Sequence, residues 1–230
     1  MNLAKLFEAQ KELDLYIEQQ HPVLPGEDRL SKKILALLVE LGECANEWRG
    51  FKFWSNDQRP RIELFVDCRV CQGYGDANYE MIQEDAEGIG QHEYIECVDC
   101  EGSGSEGPKN PLLEEYVDCF HFILSIGNDI GCDTKRDYDA LKVNDSDITK
   151  QLITINKYTT TISHNFSFLE SHCSEEKISR WTENALQNSY VVTVGAFLGL
   201  GEMLGFTDLK IEQAYWEKYE INKQRQENGY

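Results

Sequence analysis

Two pairs of acidic residues interrupt two apolar helical runs, and they constrain this chain more than any other feature. Glu40 and Glu43 lie in LLVELGECANEW, and Glu115 and Asp118 lie in LLEEYVDCFHFIL. Each pair is three residues apart, so each helix carries two carboxylates on one face. Like charges this close repel, and inside an apolar run they also lose hydration. A divalent cation relieves both penalties. Oxygen-only ligands on rigid helices suit Mg²⁺ or Mn²⁺ better than zinc. The plainer alternative is two solvated acidic faces, and the second pair weighs against it.

The remaining pattern is mostly helical. Leu3, Leu6, Phe7, Leu13 and Ile17 form one stripe, which Gln10 and Asp14 interrupt. Pro22, Pro25 and Gly26 end that helix, and Ser31 is the expected cap of the next, which carries Glu40 and Glu43 to about Trp48. Pro111 opens a third helix, running to about Ile130. Residues 148–165 suit helix or strand, because β-branched residues are frequent there. A further helix is expected near Glu175, and a terminal one over Asp208–Glu227.

The chain has 230 residues, of which 41% are hydrophobic, enough for a proper core. The net charge of −19 argues against direct nucleic-acid binding and makes each basic cluster worth reading. The N-terminal segment is amphipathic and charged, unlike a signal peptide. The longest apolar run, Tyr190–Leu200, is too short to span a bilayer and reads as a buried helix or a subunit interface. No membrane association is expected, and the location expected is the cytoplasm.

Cys68-x-x-Cys71-x-Gly-x-Gly and Cys97-x-x-Cys100-x-Gly-x-Gly are two copies of one pattern. Four thiolates in two such hairpins satisfy a closed tetrahedral Zn²⁺ site, which leaves no position for substrate and is therefore structural. The glycines allow the tight turns that aim amides at sulfur. A redox pair or free thiols are the alternatives.

Other polar residues extend the acidic stripes. His121 follows Asp118 by three residues, and Asn46 follows Glu43 by three. Trp48, Phe51, Phe53 and Trp54, with Lys52 among them, are either core or a surface that stacks a base. Tyr215, Lys218, Asn222 and Arg225 fall on one face of the terminal helix, where two cations and an amide suit a polyphosphate.

Taken together, ELGECANEWRGFKFWS, LLEEYVDCFHFILSIGNDIG and YWEKYEINKQRQENGY resemble the dimeric, all-α dUTPases of the MazG-like NTP pyrophosphatase superfamily, most of all those of staphylococcal phages. The resemblance implies an all-α helical bundle with a small zinc-ribbon-like insert and a second family-specific insert. The catalytic core is expected at 1–55, 111–130 and 181–230, the zinc insert at 56–110 and the second insert at 131–180. It also implies Mg²⁺-dependent hydrolysis of dUTP to dUMP and pyrophosphate, in the cytoplasm of a bacterial host. Glu40, Glu43, Glu115 and Asp118 are implied to bind two or more Mg²⁺ ions. Glu43, ahead of Glu40, is expected to orient or deprotonate the attacking water. His121 is implied to contact the deoxyribose; Gln10 and Trp54, with Trp48 as the alternative, to address uracil; and Asn46 is a lesser candidate. Lys218, Asn222 and Arg225 are implied to hold phosphates, with Tyr215 nearby. Asp14 departs from the pattern, standing where a neutral base-reading amide is expected. A homodimer is implied, with Tyr190–Phe206 as a candidate contact. The readings that compete are a pyrophosphatase for another nucleotide such as dCTP, a regulatory protein that binds a staphylococcal pathogenicity-island repressor, and a zinc-structural adaptor.

Overall fold

The computed structural model describes residues 1–81, 92–171 and 176–229, with the backbone alone for 176–179. The chain divides into two compact units, residues 1–60 with 112–230, and residues 61–111.

The larger unit is built of α-helices. Helix α1 (Leu3–Gln20) starts at Asn2, whose side chain accepts the Lys5 amide, and it buries Leu3, Leu6, Phe7 and Leu13. Helix α2 (Arg29–Trp48) is capped by Asp28, which accepts the Ser31 amide at 2.9 Å. Ser31 itself lies in the first turn, because the carboxylate ahead of it takes the capping role. Leu30, Ile34, Leu37, Leu41 and Cys44 form the buried stripe of α2, and Arg49 ends the helix in a left-handed conformation (φ 64°). Helix α3 (Pro111–Asp129) runs through the core, with Tyr116, Val117, Phe120, Ile123 and Leu124 buried.

Residues 148–165, which suited helix or strand, lie in helix α4 (Ile148–Ser171). It packs against α5 (Glu176–Met203), and its Leu152, Ile155 and Ile162 join the same core. The stretch 131–180, expected as a second insert, thus lies in the larger unit along with the other helices wherever it is described. Thr207 caps the terminal helix α6 (Asp208–Glu227). The Tyr190–Phe206 run, read as a candidate dimer contact, is instead internal: Tyr190, Val194, Phe197 and Leu200 are buried within this chain. Tyr116 stacks on Phe197 with centroids 4.2 Å apart and donates its hydroxyl hydrogen to the Phe197 carbonyl at 3.1 Å. Among the described residues no single helix is long and apolar enough to cross a membrane.

The smaller unit pairs β1 (Leu64–Asp67) with β2 (Ser105–Lys109) in an antiparallel ladder, with Leu64 opposite Lys109 and an irregular register between Phe65 and Asp67. Its buried cluster is the four cysteines of the repeated motif, with Tyr79 packed against them. The fold is therefore all-α with a small cysteine-centred insert.

Candidate active site

Three of the four helix carboxylates converge. One oxygen each of Glu40 and Glu43 on α2 and of Glu115 on α3 can be chosen so that all lie within 4.8 Å of one another. Burial pushes the Glu115 carboxyl up to about 7, and Asp118, Glu43 and Glu40 push in the same direction. Burial also raises Glu40, helped by Asp118 and Glu43. Anions gathered this way are an unfavourable arrangement until a cation joins them. The donor set fits a hard divalent ion, since every ligand atom is a carboxylate oxygen.

The fourth carboxylate, Asp118, is engaged by a lysine. Lys218 Nζ on α6 donates to Asp118 Oδ2 at 2.6 Å. Burial raises the Asp118 carboxyl while the Lys218 ammonium opposes the shift. Glu40, Asp118 and Lys218 line a cavity of about 780 Å³, bounded by α1, α2, α3 and α6. Asn222 and Arg225 line it as well, so the cationic face expected on the terminal helix looks into the same space as the acidic helices. At the far end of the helices, His21 Nε2 lies 3.0 Å from Gln226 Oε1, tying α1 to α6.

A further part of the site is a buried polar chain. Tyr215 is fully buried, and its hydroxyl donates to Gln10 Oε1 at 3.1 Å. His121 Nδ1 lies 2.7 Å from the same oxygen, and its ring stacks on Tyr215 with centroids 4.2 Å apart. Gln10 Nε2 in turn donates to Asp14 Oδ1 at 2.8 Å. These contacts fix the protons. Gln10 Oε1 is an acceptor, so His121 carries its hydrogen on Nδ1 and keeps a lone pair on Nε2. Nε2 is buried and makes no hydrogen bond among the described residues. Burial, with Lys218 nearby, outweighs the backbone of Tyr215 and pushes the imidazole down to about 3, which keeps it neutral.

Not all expected residues reach this place. Trp48 packs against the hydrophobic core, and Trp54 is 65% exposed, edge-on to Phe51 and Phe53. Lys52 donates to Asn46, and neither lines the cavity. The left-handed turn at Arg49 directs the chain away from the axis of α2, so helical spacing stops predicting position there. Tyr215 is buried behind Gln10 and His121 rather than presented with Lys218 and Arg225. Conversely, Lys33, Ser125 and Asp129 line the cavity although the sequence did not single them out. For two of them the signal was heptad spacing: Lys33 precedes Glu40 by seven residues and Ser125 follows Asp118 by seven.

The four motif cysteines form a second cluster, with one sulfur from each within 4.8 Å of the others. Cys71 Sγ accepts the Gly75 amide at 3.1 Å and Cys100 Sγ accepts the Gly104 amide at 3.3 Å. The duplication in sequence is a duplication in conformation. Gln72 and Glu101 both have positive φ (51° and 49°), and Gly75 and Gly104 match at 72° and 74°. A Cβ on Gly75 would strike the Gly102 carbonyl, and one on Gly104 would strike the Gly73 carbonyl. The two hairpins therefore interlock, and only glycine fits at these contacts. The sulfur spacing and the amide bonds fit a tetrahedral zinc site.

No curated protein and no solved structure gives a match to this chain. The family model described as dUTPase matches residues 2–67 and 103–230. Both acidic pairs, the buried Gln10–His121 chain and the cationic face of α6 lie inside the matched ranges, whereas all four motif cysteines lie in the gap. With most of its length matched, the chain belongs to the dUTPase family and is a dUTP diphosphatase, a nucleotide pyrophosphohydrolase releasing dUMP and pyrophosphate.

Proposed function

We propose that dUTP is hydrolysed in the 780 Å³ cavity, with Glu40, Glu43, Glu115 and Asp118 as the residues that hold Mg²⁺. The observation that carries this reading is the convergence of three carboxylates from two helices, beside a fourth paired to a lysine. When bound, the divalent ions neutralise phosphate charge and acidify a coordinated water. Glu43 is the most solvent-exposed of the four and is our candidate to orient that water and accept its proton. Lys218, Asn222 and Arg225 hold the phosphates from the α6 side. His121 Nε2, an acceptor with no hydrogen-bond partner among the described residues, takes a hydrogen bond from the sugar hydroxyl that dUTP retains, and its close packing disfavours a second hydroxyl. Calorimetric titration with Mn²⁺ tests the metal assignment. Binding by the wild type that survives in Glu115→Gln at equal affinity would remove Glu115 from the ligand set.

Three further assignments accompany this reading. The Cys68, Cys71, Cys97 and Cys100 cluster holds one structural Zn²⁺, which stabilises residues 61–111 and takes no part in hydrolysis. The protein is a homodimer, supported by an apolar stripe on the outer side of α2, where Leu35 and Val39 are 63% and 51% exposed. Light scattering decides this, and a monomeric mass for the wild type would sink it. In the cytoplasm of its host, the strongly acidic surface suits binding of a DNA-binding repressor such as those of staphylococcal pathogenicity islands. An unchanged mobility when the two purified proteins are mixed would remove that role.

A further inference from the structure

We propose that Asp14 and Lys33 determine the base specificity of this site, by completing with Gln10 a donor–acceptor–donor edge that fits the imide of uracil and rejects cytosine. The inference rests on the reading of the cavity as the nucleotide site.

Gln10 Oε1 is already served from within the protein, by His121 Nδ1–H and by the Tyr215 hydroxyl, whose one hydrogen is shared with the Leu6 carbonyl at 3.3 Å. Of the two Gln10 amide hydrogens, one goes to Asp14 Oδ1, which leaves a single donor facing the cavity.

Asp14 offers only acceptors. Gln10 donates to its Oδ1 and the Ser125 hydroxyl donates to its Oδ2 at 2.7 Å, while the Lys33 ammonium lies 3.8 Å from Oδ2. Burial, the largest influence, and the nearby Asp129 raise the Asp14 carboxyl, whereas Lys33 and the hydrogen bonds from Ser125 and Gln10 oppose that rise and favour the ionised form. Each oxygen retains a lone pair for a ligand. Lys33 donates to Asp129 at 2.7 Å and reaches Asp14 only loosely, so it keeps hydrogens for a third acceptor. Gln10, Asp14 and Lys33 all line the cavity.

The resulting order of donor, acceptor, donor is the complement of O2, N3–H and O4 of uracil. Cytosine would set the unprotonated N3 against the Asp14 lone pairs and its 4-amino group against the Lys33 ammonium. A site whose buried polar groups are left unpaired by the wrong substrate discriminates strongly. An amide at position 14 could turn either end toward the base and would discriminate less. The carboxylate is thus a stricter reader than the neutral group expected there.

The test compares kcat/KM for dUTP and dCTP in the wild type, Asp14→Asn and Lys33→Met, with thermal melts to confirm folding. We expect a dUTP preference in the wild type. In Asp14→Asn that preference falls by about tenfold or more, since one mismatched base contact is worth about that much. In Lys33→Met the dUTP value falls about tenfold while the dCTP value changes less. An unchanged ratio in either folded variant overturns the assignment of that residue, and a wild type preferring dCTP overturns both. Glu115→Gln separates this from the underlying reading: turnover that survives it moves the nucleotide out of this cavity, whereas Glu115-dependent turnover with unchanged ratios overturns the base reading alone.

Discussion

Lys218 on α6 and Asp118 on α3 are joined by a 2.6 Å ion pair, although 100 residues separate them in the chain. The lysine occupies one of four carboxylates that the sequence assigns to metal. It holds the acidic helices against the cationic one, and it also competes for the ligand.

Lys218→Met should therefore split two properties. Losing a charge-assisted bond to phosphate of about 1.5–3 kcal/mol lowers kcat/KM for dUTP by roughly ten- to a hundredfold. Divalent-ion affinity measured without nucleotide should stay level or rise, because Asp118 is released. A fall in both would show that the lysine mainly maintains the shape of the site.

His121 should leave a signature in the pH dependence of stability. Its pKa is about 3 in the fold against 6.5 when unfolded, so the stability it contributes is complete above pH 6.5 and declines as the pH falls toward 3. The slope attributable to it approaches about 1.4 kcal/mol per pH unit inside that window. Glu115 acts in the opposite sense, favouring the fold as the pH falls from about 7 toward 4.5. The informative quantity is thus the difference between wild type and His121→Gln in denaturant melts from pH 7.5 to 4.5. That difference should narrow as the solution is acidified, and a constant difference would contradict a neutral buried imidazole.

Gly127 allows α3 to approach α5. A Cβ there would run into the Tyr190 hydroxyl, which donates to the Ile123 carbonyl at 2.9 Å. Gly127→Ala should cost about 1–3 kcal/mol through overpacking, despite the better helix propensity of alanine. Chemical denaturation measures it, and a stabilised variant would show that Tyr190 moves aside freely.

The cysteine cluster should bind one zinc per chain by elemental analysis. Cys97→Ser should abolish that zinc and render residues 61–111 sensitive to protease. The helical unit should keep its melting transition and its turnover of dUTP, since the family match resumes only at residue 103, beyond the cysteines. Loss of dUTP turnover in a folded variant would give the insert a catalytic part.

Local chemistry made much of this molecule legible in the sequence. The apolar run around Glu40 and Glu43 marked α2, and the terminal helix spans the residues its pattern predicted, Asp208–Glu227. The Cys-x-x-Cys-x-Gly-x-Gly repeat announced a paired structure, because glycine at those positions permits the positive φ both copies adopt. Relations that depend on packing stayed hidden. Lys33 reads as one more surface cation until α1 and α3 bring Asp14 and Asp129 to it. Tyr215 shares a helical face with Lys218, yet it is buried behind Gln10, because one helix face can straddle the boundary between core and cavity. Trp54 lies outside the cavity lining for a different reason: it follows the left-handed turn at Arg49, beyond which the period of α2 carries no information.

The most direct measurement is pyrophosphate release from dUTP as a function of Mg²⁺ concentration, in the wild type and in Glu43→Gln and Glu115→Gln. The account predicts metal-dependent turnover in the wild type and a loss of at least about a hundredfold in each variant, as removal of a group acting in the transition state entails. Turnover that persists in both variants, or that needs no divalent ion, would contradict it.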